Sequence, residues 1–251
     1  MAAPSVAADT VLRVRETPLV LMYHAVAEVT EDPYHLAVPP ERFARQMATL
    51  HRLGLRGVGV GDLLDAMAAG QARGLVGLTF DDGYAELPRH ALPVLRRYRF
   101  GGTVFVVTER LGGSNDWDTG PVWPLLDADG IHRLAAEGIE IGSHGATHVP
   151  LAGLHPARLR DELLSSRDRL ADLLGAPPPG FAYPYGSVDA AAREAVRHAG
   201  YRYACAVTVP RKALSPLTLP RSYAGARDGA ARLTAKWALN RVRIAVKGGT
   251  L

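Results

Sequence analysis

The chain has 251 residues, 47% of them hydrophobic and 22% charged, which is enough to bury one large core and unlike a disordered or fibrous chain. The formal charge is +4, but basic residues are spread among acids until the C-terminus, which argues against a nucleic-acid partner. No apolar run reaches the roughly 18 residues of a membrane span. The single cysteine, Cys205, excludes an internal disulfide and reads as a small core residue in YACAVTV. The N-terminus shows no basic start followed by an apolar stretch, so no secretory signal is expected and a reducing, cytoplasmic setting is.

Residues 1–17 read as a tail. PLVLMY (18–23) is a strand that stops at His24, and PERFARQMATLHRLGL opens a helix with Pro40 near its start and Phe43, Met47 and Leu50 on one face. LRGVGV and GDLLDAMAAG read as strand then helix, LVGLTF as a strand ending at Asp81, ALPVLRRYRF as one helix and GGTVFVV as the next strand. An irregular loop over 109–123 holds Gly112, Gly113, Asn115 and Gly120. A helix to about Glu137 precedes GIEIGS, a strand ending at His144. HPARLRDELLSSRDRLADLLG is the clearest helix, with Leu159, Leu163, Leu170 and Leu174 at helical spacing, Pro156 near its start and Gly175 after its end. A strand to Pro184-Tyr185-Gly186, a helix over 188–199, a strand over 201–207 and LTLPRSY follow. The last segment, from residue 228, is a basic amphipathic helix.

Strand and helix in alternation predict parallel strands with helical crossovers, as a barrel or an open doubly wound sheet. VGVGDLL has too few glycines for a dinucleotide fingerprint. His24, Asp81-Asp82, His144 and Tyr185 each fall just past the C-terminal end of a predicted strand. In parallel α/β folds those ends share one face, where sites are built.

SHGATH places His144 and His148 four apart, a spacing that in a helical turn puts both imidazoles on one face. Two histidines and one carboxylate make a catalytic zinc set with positions left open; the alternative is a pair of solvated loop histidines. Of Asp81 and Asp82, one can then bind metal and the other take a proton, unless Asp-Asp-Gly is an ordinary capped turn.

TFDDG (79–83), SHGATH (143–148) and FAYPYG (181–186), in that order, resemble the first three motifs of the polysaccharide deacetylases, carbohydrate esterase family 4 with its NodB-homology domain. The resemblance covers roughly residues 18–223. It implies an α/β fold, a distorted (β/α) barrel of about seven strands, with a catalytic domain over 18–227 followed by the helix of 228–251. It also implies metal-dependent hydrolysis of an N-acetyl group from an amino sugar or glycoconjugate. Carried over position by position, Asp81 matches the base, Asp82, His144 and His148 the ligands of Zn2+ or another divalent metal such as Co2+ or Ni2+, and the Tyr185 N–H an oxyanion donor. Pro184 stands beside it among substrate contacts.

Two departures stand out. Commoner members carry an arginine where this chain has Ala182, and a catalytic histidine near the C-terminus, where only His155 and His198 follow His148. VLMYHAV resembles instead the opening of the circularly permuted branch that includes poly-N-acetylglucosamine deacetylases. That resemblance gives the general-acid role to His24, and Arg221 of LPRSY is the candidate for the charge that Ala182 lacks. Tyr34, Trp117 and Trp123 either stack on a sugar or anchor their loops. A non-sugar amide substrate and a silent carbohydrate-binding homologue remain the alternatives. A cytoplasmic enzyme would meet a small, lipid-linked or antibiotic-type amino sugar rather than cell-wall polymer. The basic C-terminal helix, with Arg232, Lys236, Trp237, Arg241, Arg243 and Lys247, either packs on the barrel or makes a weak membrane-surface contact.

Overall fold

Short apolar runs alternate with amphipathic helices along the chain, and all the strands they form pair in parallel. The computed structural model describes residues 18–210 and 213–245, with the side chains of 241–245 outside the description. The tail over 1–17 and the side chains of Arg241, Arg243 and Lys247 therefore lie outside the described residues. In order the elements are β1 (Val20–Tyr23), α1 (Pro40–Arg52), β2 (Arg56–Val58), α2 (Val60–Ala68), β3 (Leu75–Phe80), α3 (Leu87–His90), α4 (Leu92–Tyr98), β4 (Thr103–Val106) and α5 (Ala128–Ala136). They continue as β5 (Glu140–Ser143), α6 (Pro156–Leu174), β6 (Gly180–Ala182), α7 (Ala190–His198), β7 (Tyr203–Cys205), β8 (Ser222–Tyr223) and α8 (Ala230–Ala245).

The sheet runs β7-β6-β5-β4-β3-β1-β8, with β2 on the lower half of β3. The segment 219–223 joins its edges: Leu219 bridges Cys205 of β7, and Ser222 pairs with Leu21 of β1. The expected distorted barrel forms, with an eighth strand because β8, at two residues, is too short to show as a hydrophobic period.

Alternate strand residues face opposite sides. Val20, Phe105, Ala182, Tyr203, Cys205 and Leu219 pack together inside the curl. Leu21, Leu78, Val104 and Val106 face α1 and α4, and Phe181 and Ala204 face α6 and α7. Burial pushes the Cys205 thiol up to about 12, consistent with a core residue.

α6 starts where the His155 side chain accepts from Ala157 N and Pro156 takes the first position. It stops at Gly175, whose φ of 77° is left-handed. The helix expected over ALPVLRRYRF forms as α4, and a separate short helix not read from the sequence, α3, precedes it. Each carries a proline in its first turn, Pro88 and Pro93, and Pro93 has no N–H to continue α3. α8 packs on α1 through buried Leu233 and partly buried Trp237. Its Lys236 Nζ donates to Asp228 Oδ2 at 2.6 Å. Among the described residues no helix is long and apolar enough to cross a membrane.

Directly beneath the strand ends lie Tyr23, Phe43 and Phe80. Tyr23 stacks on Phe80 at 5.6 Å, and Phe43 meets both rings edge-on at 5.3 and 5.8 Å. Tyr23 precedes His24 and Phe80 precedes Asp81, so this cluster sets where both chemical side chains leave the core. Phe43→Ala is expected to cost about 3–5 kcal/mol from lost burial plus cavity, read as a lower midpoint in urea unfolding. A loss under about 1 kcal/mol would show the site resting on something other than this cluster.

Candidate metal and catalytic site

The chain leaves β3 through a tight reversal. Asp81 is still on the ladder, its N–H donating to Tyr23 O at 2.9 Å, and Gly83 N then donates back to Asp81 O at 2.8 Å. Asp82 and Gly83 between them take φ of 69° and 77°, the left-handed region that Asp tolerates and Gly favours. A Cβ on Gly83 would sit 2.8 Å from Val106 Cγ1, so this turn takes glycine alone. Its consequence is chemical: two adjacent carboxylates leave the strand in different directions.

Asp81 turns to Arg221. The guanidinium donates twice, at 2.6 Å to Oδ1 and 2.7 Å to Oδ2. It also donates to Thr79 Oγ1 at 3.1 Å and Ala206 O at 3.3 Å, and lies 5.7 Å over the Phe105 ring. Both partners are buried. Burial by itself raises the Asp81 pKa, but the charges of Arg221, His144 and His24 and the Arg221 hydrogen bonds outweigh it and hold the carboxyl below its usual range. A buried ion pair survives only when its remaining hydrogen bonds are made, as they are here. Arg221 enters just before β8, from across the barrel closure.

Asp82 turns to the histidines. Its Oδ1 is 3.4 Å from His144 Nε2 and 3.3 Å from His148 Nε2. The three ligand atoms lie within 4.8 Å of one another, all buried. The helical turn expected for HxxxH is absent. His144 prolongs β5, its N–H on Val106 O at 2.8 Å, and a loop with φ of 83° at Gly145 and 63° at His148 swings the second imidazole back beside the first. The His144 Nδ1 lies 2.7 Å from Ala182 O, an atom that can only accept, so Nδ1 carries a proton and Nε2 is the nitrogen turned to Asp82. Burial opposes the charge of Asp82, yet hydrogen bonds from His144 and His148 and the charges of His148 and His24 hold it well below the carboxylate range. Burial pushes the His148 pKa down, while for His144 the Asp82 hydrogen bond and the charges of Asp81 and Asp82 overcome burial and raise it.

One carboxylate oxygen and two imidazole nitrogens, with one imidazole oriented by an outer hydrogen bond, fit a divalent cation that accepts mixed N/O ligands. Three protein ligands also leave positions open for water and substrate.

His24 stands half-buried at the end of β1. Its charge acts on both Asp81 and Asp82, and its Nδ1 is buried without a partner among the described residues. Tyr185, at φ 57°, is 53% exposed; its ring packs 4.7 Å from His148 and its hydroxyl donates to Asp118 Oδ1 at 2.9 Å. Trp117 stacks on His148 at 4.3 Å. Exposed Tyr34 donates to Thr119 O at 2.6 Å, tying the two long loops together. Pro184 is buried beside Gly145. Trp123 packs edge-on against Tyr84 at 5.5 Å and beside Ala25, Ala37 and Leu125, contacts that anchor its loop. His155 caps α6, and His198 bonds Glu194 O on α7, so neither joins the cluster.

Sequence reasoning missed Glu162, 1% exposed, whose carboxylate accepts from Ala146 N and Thr147 N, each at 2.9 Å. Its signal was helical phase: 162 falls with Leu159, Leu163, Ser166 and Leu170 on the buried face of α6, where an acid needs a reason. Tyr84, buried beside Asp82, was missed because its place depends on how the loop over 109–123 folds back on it. Its phenol pKa is raised by burial and then by the Asp82 charge.

A family model described as polysaccharide deacetylase matches residues 69–204. A Bacillus subtilis protein named as a polysaccharide deacetylase, YxkH, is 26% identical over 73% of this chain and 62% of its own length. A chitin deacetylase of a Pestalotiopsis species is 32% identical over 49% of this chain and 38% of its own. The chain thus spans less than two thirds of both curated relatives. In fold it is similar to the Streptococcus pyogenes deacetylase PplD, solved with acetate, at a TM-score of 0.75 and 21% identity, over 88% of this chain and 97% of that one.

Proposed function

The chain belongs to the polysaccharide deacetylase family, and on that premise we propose that it hydrolyses the N-acetyl group of an amino sugar or glycoconjugate and releases acetate. The observation that carries this reading is the division at the end of β3, where Asp82 faces two histidines and Asp81 faces an arginine. A divalent cation on Asp82, His144 and His148, for which we propose zinc with cobalt or nickel as substitutes, would polarise the acetamide carbonyl and bring water's pKa towards about 7.

Asp81, kept ionised by Arg221, takes the proton of the attacking water. The Arg221 fork fixes both carboxylate oxygens, so the base is oriented before substrate arrives. The Tyr185 N–H donates to the oxyanion as the carbonyl carbon becomes tetrahedral. His24 then gives a proton to the sugar nitrogen, because an amine leaves poorly without one. The exposed rings of Tyr34 and Tyr185, with Trp117 between their loops, offer faces for a pyranose, and Pro184 holds the turn that carries Tyr185.

The test is acetate release from N-acetylated monosaccharides, oligosaccharides and glycosylated metabolites, with zinc and then with chelator. Release that vanishes on chelation is the expected result. No release by zinc-loaded protein would move the reading to a non-sugar amide. No release and no bound zinc would favour a silent carbohydrate-binding homologue.

A further inference from the structure

The two histidine ligands are not held alike. His144 has its Nδ1 fixed on Ala182 O at 2.7 Å, the usual outer hydrogen bond of a metal-binding imidazole. The Nδ1 of His148 is buried and has no partner among the described residues. Among the described residues nothing polar holds that ring nitrogen from behind, and its backbone sits at φ 63°, a conformation that persists only when its surroundings impose it.

The surroundings that impose it converge on one carboxylate. Glu162 Oε2 accepts from the consecutive N–H groups of Ala146 and Thr147, each at 2.9 Å, while Oε1 accepts the Thr147 hydroxyl. Arg158, one turn earlier on α6, closes the arrangement at 2.7 Å from Glu162 Oε1 and 3.1 Å from Thr147 Oγ1. On its other side the loop is pinned by Glu109 N on Ala146 O at 2.9 Å and Thr108 N on Gly145 O at 3.2 Å. Gly145 leaves the space, since a Cβ there would lie 3.3 Å from Glu162 Oε2.

We infer that Glu162 is a positioning residue for the metal site: by clamping the backbone of Ala146 and Thr147 it sets the place of His148, doing for that ligand what the Ala182 carbonyl does for His144. The inference rests on the metal reading of Asp82, His144 and His148. Removing the clamp leaves the ligands present but one of them loose, so cation affinity falls while the ligand count does not.

The test measures zinc dissociation constants by chelator competition, and melting temperatures of the metal-free proteins, for wild type, Glu162→Ala, Glu162→Gln and Leu159→Ala. Glu162→Ala is expected to weaken zinc about 10- to 100-fold, the range for losing an outer-sphere partner, with activity recovering at excess zinc. Gln keeps one oxygen for both N–H groups but loses the Arg158 pair, so it should fall between wild type and Ala. Leu159→Ala, on the same buried face, should lower the melting temperature and leave zinc affinity alone. Zinc affinity within about twofold of wild type in Glu162→Ala overturns the inference; should that variant not fold, wild-type affinity in Glu162→Gln overturns it equally. Wild-type protein that binds no zinc would overturn the metal reading itself, a result distinct from equal affinities.

Discussion

Asp81→Asn is expected to lower acetate release by about 10²- to 10⁴-fold, the range a positioned general base supplies, while the protein keeps its zinc. Asn has nearly the same shape but no charge, and it does not touch the histidine cluster. A second effect accompanies the first. Arg221 is 6% exposed, and where Asp81 offers its guanidinium two acceptor oxygens the variant offers one, beside an NH2 group that is itself a donor. Breaking a buried pair from one side typically costs about 3–5 kcal/mol, so the melting temperature should fall together with turnover. Zinc content, measured on the folded variant, separates the base role from collapse of the site. Full activity in Asp81→Asn would remove Asp81 from the chemistry.

The acid limb follows from the same pair. The Asp81 pKa is lowered in the folded protein, below the unfolded value of about 3.9. The pair's stabilisation is therefore fully present above that value and is lost only as pH falls through the lowered one.

Asp82→Ala is expected to weaken zinc by more than the 10- to 100-fold that an outer-sphere partner is worth, because it removes one of three ligands. Activity should disappear at ordinary zinc concentrations. The residue sits at φ 69°, where alanine is strained by roughly 1–2 kcal/mol. Asp82→Asn is the cleaner variant, since Asn accepts that conformation; it too should lose zinc, measured on protein shown to be folded. Unaltered zinc binding in Asp82→Asn would take Asp82 out of the ligand set.

Strand ends carried much of what could be read from sequence. LVGLTF stops at the acid pair because a buried parallel strand is a nearly continuous apolar run, and any polar residue closing it marks the functional face. The same logic brought His24, His144 and Tyr185 to one end. What stayed hidden depends on contacts far apart in the chain or on loop conformation. Arg221 meets Asp81 across 140 residues, through a segment whose strand is two residues long, so its charge was legible but its partner was not. HxxxH suggested a helix because spacing reports periodicity, whereas this loop is shaped by left-handed Gly145 and His148. Trp117 stacks on His148 and Trp123 packs on Tyr84. Their different environments follow from how the loop over 109–123 folds, and composition leaves that open.

The measurement closest to the central claim is anomalous diffraction at the zinc edge from crystals of the zinc-loaded protein. The account predicts one peak bounded by Asp82, His144 and His148, with Asp81 still paired to Arg221 and outside the coordination sphere. A peak that Asp81 ligates, or an ion bound elsewhere with the two histidines apart, would contradict the division of roles between the two aspartates.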